Sequence, residues 1–143
     1  MLSSKSSIPE HEKYIFVYGT LRPDVKAPWT EIVYSNKGFK VDWAKGILRN
    51  AKLHFDTYAI TEHDEKKYTT NQYVIGFIIT SPNNLEDLVK VCDRIEGYPS
   101  LYEKKKVFIE LDDGRRQEAV MYTKPIEDAK PVEKDVCDYL EWI

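Results

Sequence analysis

The sequence predicts an α+β fold, and three features of it carry that expectation. Strand-like runs outnumber helix-like ones and do not alternate with them, so a doubly wound parallel sheet is disfavoured. One segment, 85–96, reads as a well-delimited amphipathic helix. One pair of β runs, 102–111 and 117–123, flanks Asp112-Asp113-Gly114, a strong hairpin signal.

The elements follow in chain order. Tyr14-Ile15-Phe16-Val17-Tyr18 is a β-branched and aromatic run, read as a buried strand that Gly19 ends. Pro28, with Trp29, Ile32 and Val33 behind it, predicts a short helix with proline in its first turn. Segments 44–48 and 52–55 read as short strands. Segment 73–80 reads as a longer one, with Gly76 at a bend or a close approach. The helix 85–96 has Ser81, Asn83 and Asn84 as candidate caps, and Glu86 and Asp87 place acid in its first turn. Its apolar residues Leu85, Leu88, Val89, Cys92 and Ile95 recur at helical spacing, and Gly97 stops it. Pro131 is expected to open a last short helix carrying Val136, Cys137, Leu140 and Trp142.

The chain has 143 residues, the size of one ordinary domain. Residues 1–13 are polar and read as a disordered lead-in to a single domain, 14–143. The net charge of −3 argues against nucleic acid or an anionic membrane as partner, since both need a concentrated positive field. Lys104, Lys105, Lys106, Arg115 and Arg116 read as solvated strand edges. There is no apolar signal-peptide core and no apolar run of membrane-spanning length. Cys92 and Cys137 form no C-x-x-C motif. Both read as buried free thiols on helices, which fits a cytoplasmic, reducing location.

Glu96 stands out on the helical wheel. At ~100° per residue from Leu85, Val89 falls near ~40°, Cys92 near ~340° and Glu96 near ~20°, inside the apolar stripe. The charged residues Glu86, Asp87, Lys90, Asp93 and Arg94 lie outside it. Two readings follow from geometry. In one, the carboxyl is buried at a helix C-terminus, where desolvation and the helix dipole both raise its pKa. Such a group could exchange protons at neutral pH. In the other, the last turn frays and Glu96 swings into water. The loop Tyr18-Gly19-Thr20-Leu21 also has two readings: an anion-binding nest of N–H groups, or an ordinary strand-ending turn. It is neither a Walker loop nor a G-x-G-x-x-G motif.

Taken together, these segments resemble a known family. Ile15-Phe16-Val17-Tyr18-Gly19-Thr20-Leu21-Arg22 is similar to the opening motif of the gamma-glutamylcyclotransferase-like family. Asp93-Arg94-Ile95-Glu96-Gly97-Tyr98-Pro99, with Tyr102 and Val107, is similar to its second motif. Gly76, Ala119 and Tyr122 also fall at family positions. The resemblance implies a compact mixed β-barrel with flanking helices. It implies a lyase-type cyclotransferase, of the gamma-glutamylamine type, that takes a small-molecule γ-glutamyl amine or amino acid and releases 5-oxoproline. Glu96 matches the family's catalytic acid/base, and Tyr18, Gly19, Thr20 and Leu21 match its substrate-binding loop. Neither cofactor nor metal is implied.

The match is not complete. Many relatives carry Arg two residues after the tyrosine matching Tyr102, and here the residue is Lys104, which lacks the bidentate fork. Segment 51–71 matches no recognised pattern, and shaping the leaving-group pocket is one role open to it. Tyr98, Tyr102 and Tyr122 are candidate pocket residues, or else packing residues at strand ends. One of them could hydrogen-bond substrate or Glu96. His11, His54 and His63 show no metal-ligand spacing, and His63 reads as part of a surface loop. The alternative function is a non-catalytic binding module or sensor for a small glutamyl-like carboxylate.

Overall fold

The structure, a computed structural model, describes residues 12–142. Most of the proposed lead-in therefore lies outside the described residues. Of its last two positions, Glu12 already engages the domain, its carboxylate 3.0 Å from the Lys104 ammonium.

The elements are β1 (Ile15–Val17), α1 (Pro28–Tyr34), β2 (Asp42–Arg49), β3 (Ala51–Phe55) and β4 (Ala59–His63). They continue with β5 (Tyr73–Thr80), α2 (Leu85–Glu96), β6 (Glu103–Leu111), β7 (Arg116–Thr123), β8 (Lys130–Pro131) and β9 (Val136–Cys137). A 3₁₀ turn, Tyr139–Glu141, closes the described chain. Strands run β1-β7-β6-β2-β5, and β5 pairs again with β1, so five strands close into a barrel. β1 is parallel to β7 and antiparallel to β5, which makes the barrel mixed. Strands β4, β3 and β8 form a second, antiparallel sheet.

The unbroken apolar run of β1 follows from its two buried faces. Phe16 points into the barrel with Leu48, Val74, Ile109 and Met121. Its neighbours Ile15 and Val17 point outward, where Leu88 and Cys92 of α2 and Val33 of α1 cover them. A strand covered on both sides reads as continuous hydrophobe rather than alternation. Gly76 of β5 lets β1 close on the barrel. A Cβ there would stand 2.4 Å from the Val17 carbonyl oxygen and 2.7 Å from the Phe16 ring. Neither neighbour is a flexible chain end. Gly76→Ala is expected to destabilise the protein by about 1–3 kcal/mol through overpacking. A thermal-denaturation midpoint matching wild type would contradict this.

Helix α2 begins as anticipated, with the Asn84 side chain accepting from the Asp87 N–H at 3.3 Å. It ends at Gly97, whose φ of +67° lies in the left-handed region that favours glycine. The Gly97 N–H donates to the Arg94 carbonyl at 3.2 Å, so the last turn is closed rather than frayed.

Three expectations are corrected. The first is the helix at Pro131. Pro131 sits instead in the two-residue edge strand β8 against His54, an edge position where its missing N–H costs little. Cys137 lies in β9 beside β5 rather than on a helix. The Lys52 ammonium donates to the carbonyls of Val132 and Lys134, each at 2.8 Å, and the Val132 N–H donates to Leu53 at 2.8 Å. These non-local partners hold the segment extended. Both cysteines are buried and free, as expected. The second correction is Lys104, which is only 12% exposed and is no solvated edge. His63, expected in a loop, is instead the last residue of β4 and pairs with Ala51. Among the described residues, no helix is long and apolar enough to cross a membrane.

Candidate active site

A cavity of about 370 Å³ opens at one end of the barrel, and it joins the two segments singled out in the sequence. Tyr18, Gly19, Thr20 and Leu21 line one side and Glu96 lines another. Tyr102 and Tyr122 also line it. Tyr98 does not. It is partly exposed, and its ring packs edge-on against Tyr122 at 6.3 Å and beneath the Lys104 ammonium at 4.4 Å.

Loop 18–21 is held through its carbonyl groups. The Arg22 N–H donates back to the Gly19 carbonyl at 3.0 Å, forming a tight turn. The Thr30 hydroxyl donates to the Thr20 carbonyl at 2.9 Å and the Tyr34 hydroxyl to the Leu21 carbonyl at 2.5 Å. Among the described residues, no hydrogen bond engages the N–H groups of Gly19, Thr20 or Leu21. Gly19 does not need glycine's backbone freedom, because its φ is not in the left-handed region. A Cβ there would meet the Ala59 Cβ at 3.5 Å and the Tyr139 ring at 3.9 Å, both ordinary van der Waals contacts.

Glu96 is half-buried in the last turn of α2. Among the described residues its carboxylate has no hydrogen bond or ion pair. Burial alone raises its pKa from 4.5 to about 7, because losing water disfavours the ionised form. A carboxyl that titrates near neutrality and has no structural partner can take and return protons.

The tyrosines around it are hydrogen-bonded elsewhere. The Tyr18 hydroxyl donates to the Tyr122 carbonyl at 2.8 Å, and the Tyr102 hydroxyl to the Ala59 carbonyl at 2.9 Å. The Tyr122 hydroxyl donates to Asp93. Burial keeps all three phenols well above their ordinary pKa, and for Tyr18 the nearby Glu96 carboxylate adds to it. They remain neutral, and their lone pairs rather than their protons are available to a ligand. Asp93 is bound in turn by the Lys104 ammonium at 3.0 Å. Lys104 thus braces the back of Tyr122 from outside the cavity.

Several lining residues carried no signal in the sequence. Phe55, Tyr58 and Ala59 come from the β3–β4 hairpin, whose second strand was not anticipated. This gives segment 51–71 a place at the cavity. Tyr139 and Trp142 come from the segment that was expected to be helical, and Trp29 comes from α1. Only the tertiary fold brings these positions together. Among the described residues, no group of three metal-ligating side chains occurs.

Comparison with known proteins places the chain. Residues 15–142 match the family model described as gamma-glutamyl cyclotransferase, AIG2-like. The chain belongs to this family. A Methanocaldococcus jannaschii protein named as a candidate gamma-glutamylcyclotransferase is 29% identical over 113 residues, covering 79% of this chain and 85% of the relative. Among solved structures, a mouse AIG2-like protein superposes with a TM-score of 0.62 at 18% identity, covering 80% of this chain and 78% of that one. An Arabidopsis thaliana protein gives a TM-score of 0.60 at 21% identity over 97% of this chain and 76% of its own. At these identities the two structures establish the shared fold: the mixed barrel with its two helices is that of the AIG2-like proteins.

Proposed function

We propose that this chain converts a γ-glutamyl amine or γ-glutamyl amino acid to 5-oxoproline and a free amine, with Glu96 as general acid/base. One observation carries the reading: Glu96, unpartnered and raised to a pKa of about 7, shares a cavity with the free N–H groups of loop 18–21. Family membership supports cyclotransferase chemistry and a small-molecule substrate in general.

The reaction needs few groups because nucleophile and electrophile belong to one molecule, and the site has mainly to hold them together. The Glu96 carboxylate takes a proton from the substrate α-ammonium. The freed amine attacks the δ-carbonyl carbon and a five-membered ring closes. Glu96 hands the proton to the amide nitrogen, takes the second proton from the ring nitrogen, and the old C–N bond breaks. The released amine then takes up that second proton, and Glu96 returns to its starting form. Loop N–H groups suit either the glutamyl carboxylate or the oxyanion of the tetrahedral intermediate. No metal, cofactor or water enters this balance.

The test is 5-oxoproline release from a panel of γ-glutamyl amides, including γ-glutamyl-ε-lysine, followed against pH. Because the carboxylate is the working base, kcat/KM is expected to rise with pH along an acid limb centred near 7. Silence across the panel would refute the enzymatic reading. A ligand-induced thermal shift without product would instead identify a binding module.

A further inference from the structure

We infer that the amine released by this chain carries a flat aromatic ring and no carboxylate, an inference that rests on the cyclotransferase reading above. Three observations carry it.

The first is an aromatic wall of the cavity. Phe55 and Tyr139 lie nearly parallel, with centroids 5.9 Å apart and planes inclined by 29°, and Trp142 continues the surface 6.4 Å from Phe55. Tyr58 and Trp29 complete the mouth. Extended aromatic faces of this kind match another flat ring.

The second is charge. Among the described residues that line the cavity, Glu96 is the only one with a formal charge. Among the described residues, the cations near the wall, Arg22 and Lys124, are already taken. Arg22, which follows the loop, binds Asp24 and Asp138 at 2.7 Å each. Lys124, which lies over the Tyr102 ring, binds Asp56 at 3.2 Å. The unengaged donors of loop 18–21 can satisfy one anionic group, and the glutamyl unit supplies its own carboxylate. A second carboxylate, on the leaving group, would meet aromatic rings and Glu96 without a partner, which a binding site rejects strongly. The acidic side chains bordering the wall are likewise paired, Asp56 with Lys124, Asp138 with Arg22 and Glu141 with Lys134. Among the described residues, a cationic leaving group therefore gains no counter-ion beyond Glu96 itself.

The third is size. A cavity of about 370 Å³ sits at the low end of the ~300–1,000 Å³ typical of ligand pockets. It suits a γ-glutamyl unit joined to one ring on a short linker, which leaves as an arylalkylamine when the amide C–N bond breaks.

Four probes decide the matter: γ-glutamyl-phenethylamide, γ-glutamyl-phenylalanine, γ-glutamyl-putrescine and γ-glutamyl-methylamide. The first two differ only by the leaving-group carboxylate. The phenethylamide is expected to show kcat/KM at least about 10-fold above each of the others. In Phe55→Ala, and independently in the more exposed Trp142→Ala, the phenethylamide-to-methylamide ratio is expected to fall toward one. Equal or faster turnover of γ-glutamyl-phenylalanine or γ-glutamyl-putrescine overturns this inference and leaves the cyclotransferase reading standing. Silence on all four probes and on the wider panel overturns both.

Discussion

Glu96→Gln is expected to lower 5-oxoproline formation by about 10²–10⁴-fold, the usual contribution of a positioned acid/base. Gln has nearly the same shape and the wild-type carboxylate makes no hydrogen bond among the described residues, so no structural partner is lost. Stability should move the other way, and its pH dependence identifies the cause. The folded-state pKa of about 7 lies above the ordinary 4.5. Between these values the unfolded chain has released a proton that the native chain still holds. The stability associated with this group is thus fully present below about pH 4.5 and is lost as pH rises through about 7. At pH 8 the wild type carries a half-buried carboxylate that the variant lacks. The variant should then be more stable by about 1–2 kcal/mol, a figure reduced because part of the carboxyl still sees water. Near pH 4 the two proteins should melt together. Near-normal rates in the variant, or a melting difference that stays flat from pH 4 to 8, would remove Glu96 from the mechanism.

The two segments that meet at the candidate cavity could each be singled out in the sequence from local features, although each kept two readings there until the family resemblance joined them. Glu96 interrupts an apolar stripe within one helix, and the asparagine cap and Gly97 delimit that helix by local hydrogen bonds. Tyr18, Gly19, Thr20 and Leu21 follow directly from a strand whose composition already reports burial on two faces. The aromatic wall was not legible, because its residues converge only through long-range pairing. The Tyr102 hydroxyl reaches across to Ala59 and the Thr123 hydroxyl to Thr61 at 2.8 Å, fixing the β3–β4 hairpin on the barrel end. Likewise the helix expected after Pro131 lost to edge pairing with β3 and β5, which spacing along the chain does not encode. Lys104 shows the same limit: its number of lysine neighbours suggested solvent, whereas Asp93, Glu12 and two tyrosine rings surround it.

Arg22 ties those two regions together, and its replacement should produce the largest loss of stability. The side chain is 1% exposed. Its Nε and one terminal nitrogen form a fork on Asp24 at 2.8 and 2.7 Å, and its other terminal nitrogen reaches Asp138 at 2.7 Å. The guanidinium also lies over the Phe77 ring at 5.4 Å. Asp138 in turn accepts from the Leu140 N–H at 3.0 Å, capping the turn that presents Tyr139 to the cavity. The residue that follows loop 18–21 therefore also anchors the aromatic wall. In Arg22→Met both aspartates lose their partner. Removing one member of a buried pair costs about 3–5 kcal/mol, and the partial exposure of the aspartates places the expected loss near ~3 kcal/mol. For a domain of this size that lowers the melting midpoint by about 6–12 °C. Arg22→Lys keeps the charge but cannot fork and bridge at once, so it should recover little of the stability. In that variant KM should rise more than kcat falls, because the wall is displaced while Glu96, on α2, stays in place. A melting midpoint within a degree of wild type for Arg22→Lys, or a fall in kcat at constant KM, would separate the wall from Arg22.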